Sequence, residues 1–362
     1  MPVLWRPLPL IGLWMVGGIA LSAITGRVRD WFDMTDELRY ERLAISIART
    51  HSLVPRIHGV DVQSFSQLYP LLIAPIFAHG LVPHDLVQAH EFNAWLMTSA
   101  CITAYLLTRA VTPQKRWAYL VAALSMAMPW IVYSTMLMTE VAAYPACAWA
   151  LLALYRATVR PSLAGDALAL LGLGLAFYGR TELLVLVFVV PPAIVAFEVG
   201  QASAPTLLAR TAAGLRSAVS AHRLLTAAYV VIVTGGIVLD LEGRLAGVVG
   251  VYGVYSPQSS IFPHGMAGSL ATHAALFSLG FGILPFLVGA AWLLANVVRP
   301  SVSRAQHAFA CVGMFTLLAV MFQATNFDVR YNGFVHDRFL LYLVPVILIG
   351  MVCALEGPLR PR

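Results

Sequence analysis

Three acids, Asp33, Asp36 and Glu37, fall within five residues of one another in a chain that is otherwise largely apolar. A carboxylate works as a general base when a rigid element holds it where a substrate proton can reach it. At the first turn of a helix the same acids favour the helix dipole by about 0.3–1 kcal/mol each. Asp36 fits both descriptions. After it, Tyr40, Leu43, Ala44, Ile47 and Ala48 recur at helical spacing, while Arg39, Glu41, Arg42 and Arg49 take the other side. This predicts a short interfacial helix near 36–50, capped by Thr35 and ended by Pro55. Three further polar groups interrupt apolar sequence: Glu140 after "STMLMT", Arg180 and Glu182 in "YGRTE", and Asp337-Arg338 ahead of "FLLYLVPVIL". A charged pair between two spans is costly unless it faces a wet cavity, so each marks a place where water meets the chain.

Composition decides what kind of element holds these residues. Of 362 residues, 59% are hydrophobic and 11% charged, against about 25% charged in a soluble domain. Apolar runs of about 18 residues recur along the chain, long enough to cross a hydrocarbon core of about 30 Å. The reading is an all-α integral membrane protein with about ten spans, near 8–25, 90–111, 117–135, 141–156, 165–180, 182–199, 223–240, 272–298, 306–325 and 339–355. The first run is an uncleaved span rather than a signal peptide, since Arg6 is its only basic flank and further apolar runs follow. Pro191-Pro192 is expected to kink the sixth span.

Charge sets the orientation. With the N-terminus inside, the inner loops carry Arg109, Lys115, Arg116, Arg156, Arg160, Arg210, Arg216, Arg223, Arg299, Arg304, Arg360 and Arg362, against only Asp166, Glu198 and Glu356 as acids. This satisfies the positive-inside rule at every turn and places both termini in the cytoplasm. The formal charge of +6 therefore reports topology and not a nucleic-acid partner. Cys101, Cys147, Cys311 and Cys353 all sit inside apolar runs and read as small packing residues.

One domain, 1–362, accounts for the whole chain, with outer segments at 26–89, 241–271 and 326–338 and outer turns at Ser134–Glu140 and Arg180–Glu182. Within 26–89 a second short surface helix is predicted near 66–79, in the Pro-containing "SFSQLYPLLIAPIFAHG". His51, His58, His79, His84 and His90 are irregularly spaced, so neither a metal site nor another cofactor is expected, although a divalent ion is compatible with the acids. Tyr252 and Tyr255 on the 241–271 segment suit either a sugar platform or an interfacial aromatic belt.

The stretch "TDELRYERLAISIARTHSLVPRIHG…LYPLLIAPIF" resembles the first outer loop of the GT-C glycosyltransferases, in particular the group of the bacterial lipid A aminoarabinose transferase and the protein O-mannosyltransferases. In that loop an Asp-Glu pair opens a juxtamembrane helix, followed by a Tyr, a Pro-containing turn, a Gly and a second short helix. Asp36, Glu37, Tyr40, Pro55, Gly59, Tyr69 and Pro70 occupy those places. "MTEVAAYP", "YGRTELL" and "DRFLLYLVPVIL" are similar to later family segments in the same order. Relative to the family the chain is short at its C-terminus.

The resemblance implies a GT-C bundle in a bacterial inner membrane. Its activity would be inverting transfer of a hexose or pentose from a polyprenyl phosphate to a hydroxyl of a lipid, glycan or protein acceptor. Asp36 would be the general base, with Glu37 orienting it or the acceptor. Arg338 and Arg180 would hold the donor phosphate, since guanidinium grips phosphate oxygens bidentately. Tyr40, Glu140 and Glu182 would contact substrate or orient those groups. Simpler readings stand beside these: capping for the acids, snorkelling for Arg338, and an ion pair of Arg180 with Glu182. A lipid or solute carrier, or a non-catalytic subunit of an envelope complex, is the alternative to the transferase. A carrier is expected to hold ionisable residues near the midplane, whereas these cluster at span ends.

Overall fold

The computed structural model describes residues 8–32, 34–62, 66–78, 83–245, 262–298, 300, 302–330 and 335–357. Asp33, His79, Tyr252, Tyr255 and most of 241–271 lie outside the described residues, as do Arg299, Arg360 and Arg362.

Every segment read as a span is helical. Among the described residues, six helices, against the ten spans expected, are long and apolar enough to cross a membrane: Leu8–Thr25, His84–Val111, Thr181–Gln201, Arg223–Leu241, Arg304–Arg330 and Asp337–Glu356. Two bent pairs bring the number to as many as eight. The segments read as 141–156 and 165–180 are the helices Glu140–Val159 and Leu163–Gly179, which pack along each other. The only strands among the described residues are Arg56–Ile57 and Val60–Asp61, a minimal hairpin turned by His58 and Gly59, both at positive φ.

Burial sorts the helices into centre and rim. The apolar window of Asp337–Glu356 is 78% buried and that of Arg304–Arg330 is 67%, while those of Leu8–Thr25 and Arg223–Leu241 are 17% and 6%. The late spans are thus the core, and the first and seventh turn their side chains to the surroundings. Close approach at the centre depends on small residues. A Cβ on Gly350 would stand 2.8 Å from the Gly289 carbonyl oxygen, so the helices Ile283–Val298 and Val344–Glu356 meet backbone to backbone there.

Four expectations are corrected. The predicted span 272–298 is two helices, Met266–Phe281 and Ile283–Val298, bent by 119°. The break falls at Gly282, whose φ of 108° is open to glycine and strained for other residues. The interfacial helix runs Met34–Thr50, starting two residues earlier than expected, so Thr35 lies inside it and is not its cap. The second surface helix is shorter than 66–79 and covers only Leu68–Ile73. The ninth span continues to Arg330, carrying Asp328 on a helix end rather than in a loop.

Candidate active site at the mouth of the bundle

The first outer segment is bolted to the bundle at three places. Glu37 is fully buried, with Oε2 accepting the Phe32 N–H at 2.6 Å and Oε1 accepting the Leu137 N–H at 2.9 Å. Tyr69 donates its hydroxyl to Asn93 Oδ1 at 2.9 Å, and Asn93 Nδ2 donates to the Met136 carbonyl at 2.8 Å. Ser66 Oγ lies 2.6 Å from Thr181 Oγ1 and accepts the Thr181 N–H at 2.9 Å. The segment thus reaches the two outer turns, 136–139 and 180–182, directly at Leu137 and Thr181 and through Asn93 at Met136. Asp36 is thereby fixed above both.

Below Asp36 the charged residues from four elements converge. Arg180 closes the Leu163–Gly179 helix and grips Glu182 with two parallel bonds, Nε to Oε2 at 2.5 Å and Nη2 to Oε1 at 2.6 Å. Its Nη1 pairs with Glu140, the first residue of the Glu140–Val159 helix. Glu140 Oε1 is shared: Arg338 Nε lies 3.5 Å from it, off the line of a hydrogen bond. Arg338 Nη1 in turn lies 3.9 Å from Asp36 Oδ2. Phe339 sits between the guanidiniums, with its ring 5.3 Å from Arg180 Cζ and 5.7 Å from Arg338 Cζ. Tyr40 completes the wall, hydrogen-bonded with Thr139. Burial pushes its phenol above the ordinary range against the pull of Arg180, so it stays an O–H donor.

Exposure divides the cluster. The side chains of Glu140, Glu182 and Arg180 are 1%, 4% and 9% exposed, whereas those of Arg338 and Asp36 are 22% and 36% exposed. The sealed trio, two carboxylates around one guanidinium, carries a net negative charge that Arg338 offsets from above. Asp36 and Arg338, a loosely held carboxylate and guanidinium, are the groups a substrate can reach. Among the described residues no three His, Cys, Asp or Glu side chains converge as a metal-ligating group.

This architecture recurs in solved membrane enzymes. An oligosaccharyltransferase from Archaeoglobus fulgidus, in the apo form, superposes with a TM-score of 0.54 at 15% identity, over 98% of this chain and 50% of that one. ArnT from Cupriavidus metallidurans, bound to undecaprenyl phosphate, superposes with a TM-score of 0.53 at 13% identity, over 96% of this chain and 60% of that one. The fold is GT-C. The archaeal enzyme AglB from A. fulgidus, in complex with an inhibitory peptide and a dolichol-phosphate, matches at a TM-score of 0.54 and 15% identity, over 96% of this chain and 50% of that one. The chain thus spans half to three fifths of the length of these proteins. No protein-family model and no curated protein matches its sequence.

On this GT-C frame, Asp36, Tyr40, Glu140, Arg180, Glu182 and Arg338, singled out one by one in the sequence, form a single cluster. Glu37, expected beside Asp36, lies outside this cluster, with its oxygens accepting the backbone N–H groups of Phe32 and Leu137. Phe339 and Thr139 were missed. Their signal was position, since Phe339 follows Arg338 and Thr139 precedes Glu140.

Proposed function

We propose that this chain transfers a sugar from a polyprenyl phosphate to an acceptor hydroxyl at the outer face of a bacterial cell membrane, with inversion at the anomeric carbon. The observation that carries this reading is the Asp36–Arg338 pair, poised over the buried Glu140–Arg180–Glu182 ion-pair floor at the end of a GT-C bundle. The acceptor O–H gives its proton to Asp36 as its oxygen bonds to the anomeric carbon. The bond from that carbon to the phosphate oxygen breaks, and its electron pair stays on the phosphate, where Arg338 meets the growing charge. Donor phosphate exchanges with Asp36 at Arg338, which frees the carboxylate to face the acceptor. Arg180 supports Arg338 from below through Glu140 and Phe339. Glu37 positions the helix that carries Asp36.

The transferred sugar is a hexose or pentose, and the acceptor is a lipid, glycan or protein hydroxyl. The test is transfer of radiolabel in membranes containing the protein, with polyprenyl phosphate mannose, arabinose and glucose offered in turn. Label moving from at least one donor, above membranes lacking the protein, is the expected result. No transfer from any of them would end the proposal.

A further inference from the structure

A second polar feature lies at the opposite end of the bundle. The Leu163–Gly179 helix carries Asp166 in its first turn and Arg180 at its end, so the two residues stand about 21 Å apart along its axis. Asp166 is fully buried. Its Oδ1 lies 2.8 Å from His222 Nδ1, and its Oδ2 accepts the Leu225 N–H at 3.3 Å. His222 is the corner between the helices Leu207–Ala221 and Arg223–Leu241, so these two bonds pin the corner to the bundle. The His222 side chain is 2% exposed. With Nδ1 turned to Asp166, Nε2 is aimed away from it, and Nε2 has no hydrogen-bond partner among the described residues. What His222 faces on that side is a groove that it helps to line.

The groove has a volume of about 440 Å³ and lies between the helices Val185–Gln201, Leu207–Ala221 and Arg223–Leu241. Its base is buried, at Ile194 and Leu225, and its edges are exposed, at Leu215, Val219, Val230 and Val233. It therefore opens sideways from the bundle. Two of its walls are apolar spans, so it opens on hydrocarbon. From His222 to Thr234 it rises about 18 Å along Arg223–Leu241. That is little more than half of a hydrocarbon core of about 30 Å, the depth of one leaflet. The sequence builds its wall. Pro191 has no N–H, so the Val187 carbonyl lacks its helical partner. The Tyr229 hydroxyl donates to that carbonyl instead and fastens the two spans to each other beside the groove.

Shape and charge select the occupant. A narrow apolar cleft one leaflet deep suits a single acyl chain, and the buried Nε2 at its end calls for a polar headgroup atom. Nε2 finds a partner there in either protonation state: as a bare nitrogen it accepts from a headgroup hydroxyl, and as N–H it donates to a phosphate or ester oxygen. Between Glu198 and Asp240 the chain carries Arg210, Arg216 and Arg223 and no acid. Arg216 and Arg223 are exposed, whereas Glu198 is buried and accepts the Ser217 hydroxyl at 2.6 Å. The charge turned outward here is positive, which draws anionic lipid. We propose that the groove binds one anionic glycerophospholipid from the leaflet opposite the candidate active site, with a tail along Val230 and Val233 and its headgroup at His222 and Arg223. In the orientation set by the arginines this is the inner leaflet. Asp166 is a positioning residue that aims His222 into the groove.

The test is native mass spectrometry of the full chain in detergent, titrated with phosphatidylglycerol, phosphatidylethanolamine or undecaprenyl phosphate. The wild type should hold one phosphatidylglycerol and prefer it to phosphatidylethanolamine by about 5-fold, the worth of one arginine at the membrane surface. Val233→Trp fills the groove from its edge, where Val233 is 56% exposed, and should weaken binding by at least about 10-fold. Arg223→Gln, also at an exposed position, should keep the lipid and lose the headgroup preference, and it serves as the second variant if the Trp form does not accumulate. His222→Asn, whose amide takes the place of Nδ1 beside Asp166 but lacks Nε2, should weaken phosphatidylglycerol by about 10-fold. Equal binding of the two phospholipids, tighter binding of undecaprenyl phosphate, or variants that bind like the wild type would overturn the inference. So would a dimer that Val233→Trp dissociates, since a second copy would then cover the groove. No sugar donor takes part, so the outcome is independent of the transferase reading.

Discussion

Arg180 and Arg338 are expected to fail in different ways when removed. Arg180→Ala leaves Glu140 and Glu182 without their partner, and their side chains are only 1% and 4% exposed. Breaking a buried pair from one side costs about 3–5 kcal/mol, because the remaining charge is uncompensated. Here two carboxylates are stranded, so the loss should reach the upper part of that range. Arg338 is the opposite case. Its nearest acids stand at 3.5 and 3.9 Å, without aligned hydrogen bonds, and its side chain is partly exposed. Its removal should cost no more than about 1 kcal/mol of stability, in the range of a surface pair. The loss should instead fall on donor KM. The assay is thermal unfolding in detergent beside transfer kinetics for Arg180→Ala, Arg338→Ala and the double variant Arg180→Met/Glu182→Leu. Removing Glu182 together with Arg180 should recover part of the stability, because one stranded charge goes with its partner. Equal unfolding temperatures for Arg180→Ala and Arg338→Ala, or a destabilised Arg338→Ala with unchanged donor KM, would refute the division into floor and substrate-facing pair.

Asp36→Asn should keep expression and donor binding and lower turnover by about 10²–10⁴, the usual contribution of a general base; near-normal turnover in the purified variant would return Asp36 to a capping role. Glu37→Ala should destabilise the protein by about 1–3 kcal/mol by orphaning the N–H groups of Phe32 and Leu137, and thermal unfolding that matches wild type would deny its part as a strut. Burial holds the Glu41 carboxyl above its ordinary value, against a hydrogen bond from Trp31. Its contribution is fully present below the unfolded value and is lost as pH rises through the raised one, so Glu41→Gln should remove a decline in unfolding temperature between acid and neutral pH. A membrane-impermeant thiol reagent applied from outside should label a cysteine placed at Leu53, which is 63% exposed, and spare one at Ser162. The native cysteines are buried and give little background; the reverse pattern would invert the proposed orientation.

Much of the candidate site was legible because a membrane chain cannot hide charge. Asp36, Glu140, Arg180 and Arg338 stand out against apolar flanks, and the cost of placing them in hydrocarbon confines them to span ends. Their placement near one water boundary followed from that cost and the positive-inside pattern. His222 was not legible in this way, since a single histidine beside an apolar run carries no mark of its partner. Its meaning depends on Asp166, which lies 56 positions away in sequence and 2.8 Å away in space.

The sequence by itself determined the solvent, the helical class and the approximate position of most apolar helices, because hydrophobic length is a local property that needs no partner; it did not settle their number, ten expected against six to eight among the described residues. It also marked the amphipathic helix of the first outer segment through its spacing. Tertiary structure decided which charges meet. Glu140 and Arg180 pair because the Glu140–Val159 and Leu163–Gly179 helices run antiparallel and bring their outer ends together. The 119° break at Gly282 and the extension of the ninth helix past Asp328 to Arg330 were not read from the apolar runs, since the first lies inside one run and the second beyond the end of another. Glu37 and Asp36, adjacent and alike in the sequence, part company in the fold. One helical step of about 100° turns Glu37 into the protein, where it meets backbone N–H groups, and leaves Asp36 at the mouth beside Arg338.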